Sequence, residues 1–299
     1  MSHDPIEAVL TAMLRRQAID LPVAIVVAHP DDETIGMGPL LSLFRRLTLV
    51  HVTDGAPRNL QDTHQAGFAT CEAYAAARRQ ELHAALQAGA VSLRMEDAPV
   101  AAETSGGEPG KCRQNADALR QTRPTILQDA MAPPSDTGRA VALGVPDQGA
   151  ARRLRWLAAT LTGNLADSAV VLTHPYEGGH PDHDAVAFAV QASGRPRIEM
   201  TFYHADRNGG LVTGSFLPGP PSVDIDLSPQ EQRIRTAMLD SFITQQRTLA
   251  PFRLTERQRF RIAPDYDFTR PPAPLAYYDG FDWGMNSALW CQLAAEAMA

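Results

Sequence analysis

Two short clusters hold the side chains that could do chemistry. His29-Pro30-Asp31-Asp32-Glu33 follows the apolar run 23–28, and His174-Pro175-Tyr176-Glu177-Gly178-Gly179-His180-Pro181-Asp182-His183-Asp184 follows the apolar run 169–173. Pro30 stiffens the first turn, so His29 and Asp32, three residues on, can converge on one point while Asp31 points elsewhere. The three acids of that cluster also suit a helix N-terminus, where carboxylates cap free amides and complement the helix dipole. In the second cluster three of the nine histidines fall within ten residues. Two such clusters at two strand ends point to a metal. Two histidines and one carboxylate leave coordination positions open for water and substrate, which is a catalytic rather than a structural arrangement.

Elements that would place the clusters can be read from hydrophobic period. Helical spacing over 6–17 precedes the β-branched run 23–28, and a helix over 34–46 leads to a strand over 47–53 that closes on the turn Asp54-Gly55. Continuously apolar strands imply a sheet covered on both faces, hence parallel with right-handed crossovers. Open sheets of this kind take ligands at the carboxyl ends of their strands, where both clusters fall. The pattern continues with helices over 62–88 and 151–165, a strand over 169–173, a helix over 183–192 and a strand over 199–204. The fold class is therefore α/β: a Rossmann-like, mostly parallel sheet with helices on both faces, plus an irregular C-terminal appendix. Residues 1–299 read as one domain, with the core over about 20–250 and the appendix over about 251–299. Two Gly/Pro-rich stretches, 97–111 and 132–149, read as loops. Ser228 is placed to cap a helix over 229–247, and a last helix is expected over 285–297. The aromatic segment 276–283 either shapes a pocket or anchors that last helix.

With 34 acidic against 27 basic residues the net charge is −7, which repels phosphate backbones and argues against nucleic acid as a partner. Apolar runs fall far below the roughly 20 residues that span a bilayer, and Met1-Ser2-His3-Asp4 opens no leader pattern, so a cytoplasmic protein without a membrane span is expected. Cys71, Cys112 and Cys291 are odd in number and far apart, which suggests neither a disulfide framework nor a thiolate zinc site.

The pair Ala28-His29-Pro30-Asp31-Asp32-Glu33 and His180-Pro181-Asp182-His183 resembles the paired signature of the PIG-L/LmbE family of zinc-dependent N-deacetylases. Weaker matches extend it: Thr53-Asp54-Gly55, Arg78-x-x-Glu81 and Thr244-Gln245. The resemblance implies a Rossmann-like fold, one divalent ion, usually Zn2+ with Fe2+ or another ion as substitutes, and removal of an acetyl group from an N-acetylated amino sugar or its conjugate. It implies His29, Asp32 and His183 as metal ligands, Asp31 as general base, His180 as second catalytic group and Asp182 as the carboxylate orienting it. Arg78 is implied at the substrate. Some members carry a tyrosine two residues before the first histidine of the second motif. Gly178 stands there in this chain, and Tyr176 is the nearby replacement expected at the substrate.

Two other readings share the ligand set. A non-haem iron oxygenase also uses two histidines and a carboxylate, but its His-x-Asp/Glu pair sits on an all-β scaffold. A non-catalytic sugar-binding protein would have no need of Asp31 and His180.

Overall fold

The computed structural model describes residues 4–97 and 138–299. Helix α1 (Pro5–Leu14) begins at Asp4, whose carboxylate accepts the Ile6 amide hydrogen, and leads into β1 (Ile19–Val27). After the first motif comes α2 (Asp32–Met37), and a 3-10 turn over Gly38–Leu43 delivers β2 (Phe44–Pro57). Helices α3 (Leu60–Gln65) and α4 (Cys71–Ala88) follow, the second capped by the Thr70 hydroxyl. Strands β3 (Arg94–Asp97) and β4 (Arg139–Asp147) precede α5 (Leu154–Asn164), β5 (Val170–Thr173) and α6 (Pro181–Ala192). The rest comprises β6 (Arg197–Met200), a hairpin of β7 (Tyr203–Ala205) and β8 (Leu211–Thr213), β9 (Ser222–Asp226), α7 (Pro229–Asp240), α8 (Gln246–Leu249), β10 (Arg257–Ile262) and α9 (Ser287–Met298).

Eight strands form one sheet in the order β3-β4-β2-β1-β5-β6-β10-β9. Six run parallel, whereas β10 is antiparallel to both β6 and β9. The apolar run in β1 shows why the sheet is covered twice. Val23, Ile25 and Val27 face a core with α1, α4 and α7, while Ala24, Val26 and Ala28 face a second core with α5, α6 and α9. Each valine or isoleucine so buried contributes roughly 1.5–3 kcal/mol, which fixes the strand's register as well as its place. After β1 the chain builds outward through β2 and then crosses back to place β5 on the other flank of β1. That reversal of strand order opens a crevice at the carboxyl ends of β1 and β5. Both histidine motifs begin there.

Several boundaries differ from the sequence expectation for local reasons. The helix expected over 34–46 stops at Met37, because Gly38-Pro39 breaks it into the 3-10 turn. The helix over 62–88 is two, parted at Gly67, and that over 229–247 ends at Asp240. Of the loop expected over 132–149, residues 139–147 are β4, paired in parallel with β2 and β3. Its alanines, Gly144 and Pro146 disguise a strand whose Val141, Leu143 and Val145 are buried. Residues 98–111 and 132–137 of the expected loops, and Cys112, lie outside the described residues, while Cys71 and Cys291 are buried and free. Within the C-terminal stretch read as an appendix, Arg257–Ile262 is a strand of the main sheet, and the irregular part follows it. Among the described residues no helix is long and apolar enough to cross a membrane.

Candidate metal centre

Where β1 ends, the backbone turns sharply enough to leave Asp31 at φ 142 and ψ −22. A non-glycine residue there is strained, at a cost on the order of 1–3 kcal/mol, and persists only where its surroundings hold it. The Asp31 amide donates to Glu33 Oε2 at 3.1 Å, and Glu33 is fixed in turn by His51 Nε2 at 2.9 Å and the Thr34 hydroxyl at 2.7 Å. Arg78, 1% exposed, donates to Asp31 Oδ2 at 2.8 Å and to the Pro30 carbonyl oxygen. Gly55, at φ +66, makes room for that guanidinium: a Cβ there would lie 2.8 Å from Arg78 Nε. On the far side Glu81 faces Arg78 Nη1 at 3.5 Å and accepts from the Thr244 amide and hydroxyl, both at 2.7 Å. The weaker motif matches are thus one buttress behind Asp31.

Asp32 faces the other way. Its Oδ2 accepts the His29 amide hydrogen at 2.7 Å and lies 3.2 Å from His29 Nδ1, while His183 Nε2 is 3.4 Å from Oδ1. Ligands bound to one ion at about 2.0–2.2 Å in a tetrahedral set lie about 3.3–3.6 Å apart, and these three residues, near that spacing, could hold a divalent ion. Nor does Asp31 cap α2, since its side chain makes no capping bond. His174, 3.4 Å from Asp32 Oδ2, is outside the donor set: its Nε2 lone pair already accepts the Ala28 amide hydrogen at 2.9 Å. It stacks on His183 with centroids 3.9 Å apart and holds that ring in place.

His180 is the N-cap of α6, its Nδ1 accepting from the Asp182 amide at 3.1 Å. A neutral His180 therefore carries its hydrogen on Nε2, 3.8 Å from Asp147 Oδ1. The Asp182 carboxylate does not orient His180, as the sequence suggested. It accepts the Gln148 and Ala150 amides at 2.6 and 2.9 Å, which pins the end of β4, and lies 3.4 Å from His29 Nε2. Asp147, at that strand end, accepts from the same nitrogen at 3.0 Å. Sequence reading missed Asp147 because its strand was taken for a loop. The carboxylates behind Nε2 leave Nδ1 of His29 for an ion, the arrangement in which outer carboxylates orient metal-binding histidines.

Titration follows this geometry. Burial opposes charge on His29, yet Asp147, Asp182 and Asp32 together raise its pKa well above the usual histidine value. For Asp32 burial is overcome by His183 and His174, which hold it well below the carboxylate range. Burial lifts Asp31 to about 7 against the pull of Arg78. Burial and the neighbouring His29 lower His180 to about 4, and burial with His174 lowers His183 to about 3.

Two further residues depart from expectation. Tyr176 is not brought to the cluster: it is 3% exposed, its hydroxyl donates to the Arg270 carbonyl oxygen at 2.9 Å, and its ring packs on Phe268 and Trp290. Arg78, expected at the substrate, is buried and directs its terminal nitrogens to Asp31, Pro30 and Glu81, with Nε left unpartnered. Tyr203, which carried no signal in the sequence, packs its ring 5.3 Å from that of His183, and burial with the nearby Asp32 and Asp147 keeps its phenol protonated.

The family model described as PIG-L, GlcNAc-PI de-N-acetylase, matches residues 24–193, a span that holds both motifs and every residue of the cluster except Tyr203. The chain belongs to the PIG-L family. Its members are deacetylase-type hydrolases, and the His/Asp cluster could hold the metal of such an enzyme. Among solved structures, the conserved protein TT1542 from Thermus thermophilus aligns over 82% of this chain and 95% of its own, at 16% identity and a TM-score of 0.41. GalB, the 4-carboxy-2-hydroxymuconate hydratase from Pseudomonas putida, aligns over 83% and 100%, at 12% identity and a TM-score of 0.37. No curated protein matches the sequence.

In this PIG-L chain the second motif hangs from Asp184, whose carboxyl meets the Gly178 amide and the Tyr278 hydroxyl, both at 3.1 Å. Burial, against the Gly178 bond, pushes its pKa up from 3.8 to about 8. The native state therefore keeps a proton that the unfolded chain loses, and stability falls as pH rises through that window. Asp184→Asn retains both hydrogen bonds without the titration. Urea midpoints are expected to decline less for the variant than for the wild type from about pH 4 to pH 8. Parallel declines would refute this account of Asp184.

Proposed function

We propose that the protein hydrolyses the acetamide of an N-acetylated amino sugar or its conjugate, releasing acetate and a free amine, with Zn2+ held by His29, Asp32 and His183. The observation that carries this reading is the division of neighbouring carboxylates: Asp32 faces two histidine nitrogens, whereas Asp31, one residue away, is turned from them and fastened to Arg78. A divalent ion, when bound, supplies Lewis-acid polarisation of the acetyl carbonyl and lowers the pKa of water. With Oδ2 tied to Arg78, Asp31 offers Oδ1 as acceptor for the proton of the attacking water. The water oxygen adds to the acetyl carbon, the C–N bond breaks, and the departing nitrogen needs a proton. Asp31 returns to it the proton taken from the water, while His180, neutral with its hydrogen on Nε2, offers that N–H to the oxygen that gains negative charge. Asp182 and Asp147 hold His29 in orientation while Glu33 and Arg78 hold Asp31.

Iron oxygenase chemistry shares the donor set, but the His-x-x-Asp spacing on a parallel α/β sheet and the PIG-L match favour hydrolysis. The test is release of acetate and free amine from acetamido sugars, lost with chelator and restored by Zn2+. Turnover that survives complete chelation would overturn the metal-dependent reading.

A further inference from the structure

Among the described residues the cluster is exposed unevenly. Side-chain exposure is 18% for Asp147 and 13% for His29, against 3% for Asp32 and 0% for His174. On the more exposed side the Trp283 ring lies 5.0 Å from that of His180, and Phe281 stacks on Trp283 at 4.6 Å and 12°. Tyr277 meets Phe281 at 5.1 Å and Tyr203 at 5.9 Å, and Tyr203 returns to His183 at 5.3 Å. An arc of four aromatic rings therefore runs from one histidine of the second motif to the other.

Core packing accounts for part of this arc only: Tyr203 packs against the core on the α7 face and Trp283 against that on the α9 face. Tyr278 anchors the segment, fully buried and bonded to Asp184, whereas Phe281 remains 41% exposed. In the core, Tyr176 meets Phe268 and Trp290 at tilts of 59° and 37°; Phe281 and Trp283 stack face to face at 12°, which leaves the outer face of Phe281 as the flat surface on offer. Their backbone is held rigidly: the Tyr277 amide donates to the Gly178 carbonyl oxygen at 2.7 Å, Arg152 donates to that of Gly284 at 2.7 Å, and Asp279 accepts from the Ser287 amide and hydroxyl. A rigid flat aromatic face at the mouth of a polar site is preorganised for a flat, weakly polar ligand surface.

Charge selects among such ligands. Asp31, Asp32, Asp147 and Asp182 crowd the cluster, and the Arg78 guanidinium is buried against Asp31. An anionic unit beside the acetamido sugar would meet these carboxylates, whereas a neutral ring offers C–H bonds to the aromatic faces and hydroxyl hydrogens to Asp147. Building on the deacetylase reading, we propose that the arc of Tyr203, Tyr277, Phe281 and Trp283 is a subsite for a second, uncharged pyranose ring attached to the acetamido sugar, stacked on the outer face of Phe281, which Trp283 backs. The natural substrate is then a neutral disaccharide or longer glycoside rather than a phosphorylated or carboxylated conjugate.

The test compares three substrates of the zinc-loaded enzyme: methyl N-acetylglucosaminide, N-acetylglucosaminyl-1,4-glucose and N-acetylglucosamine 1-phosphate. The disaccharide is expected to have the highest kcat/KM. Phe281→Ala and Trp283→Leu are each expected to lower the ratio of disaccharide to methyl glycoside on the order of tenfold, through KM. Phe281 is exposed, so its truncation leaves folding intact even if the tryptophan variant is impaired. In parallel, disaccharide binding to chelator-treated protein is followed by tryptophan fluorescence, and the Phe281→Ala variant is expected to weaken it by a similar factor. An unchanged ratio in both variants, or preference for the phosphate, would overturn the subsite. Failure of the wild type to hydrolyse all three would instead remove the deacetylase reading, while the fluorescence titration still decides whether the arc binds a neutral sugar ring.

Discussion

Asp31→Asn is expected to bind metal as the wild type does and to lose on the order of 10² or more in kcat, the usual worth of a positioned base. The amide can still accept the Arg78 bond, so the strained turn keeps its clamp, but it cannot take a proton from water. Because the substituted group would touch neither ligand atom, stoichiometric metal by elemental analysis and an unchanged thermal midpoint accompany the loss of turnover. A variant that lost its metal would make Asp31 a ligand and reverse the roles of the two neighbouring aspartates.

The opposite pattern is expected one residue on and across the crevice. Asp32→Ala or His183→Ala removes one of three donors, and both metal content and activity should disappear together. Asp32 stands between His29 and His183 and also accepts the His29 amide, so its loss frees that ring as well as vacating a ligand position. Full zinc occupancy in His183→Ala would sink the assignment. Taken with Asp31→Asn, the two variants separate holding the ion from moving the proton.

How much of this the sequence carried depended on whether a residue's task left a local trace. Strands β1 and β5 were legible because burial on both faces demands unbroken apolar runs, and the motifs could then be placed at their ends. Strand β4 was hidden by Gly144 and Pro146, and with it went Asp147. The alternation Arg257-Gln258-Arg259-Phe260-Arg261-Ile262 looks polar, since the partners of its charges are distant in sequence: Arg261 is neutralised by Glu177 and Glu199 at 3.0 and 2.6 Å. Arg-x-x-Glu reads alike for a surface pair and for a buried clamp. What decided between them was Gly55 and Thr244, which only the fold brings beside Arg78 and Glu81. Tyr176 is the converse case: nothing in its local sequence shows that its ring fills the core beside α9.

Strand β10 lies between β6 and β9 although it is made after both. Until residues 257–262 leave the ribosome, β9 has no place in the sheet, and β6 shows a bare row of main-chain donors and acceptors to any passing strand. Later still comes Trp290, whose indole donates to the Pro181 carbonyl oxygen at 3.0 Å and so steadies the head of the helix that carries His183. The nascent chain thus owns His29, Asp32 and His183 before it owns the strand and helix that complete the framework around them. Only once β10 and α9 are both in place are the edge of β6 and the head of α6 covered.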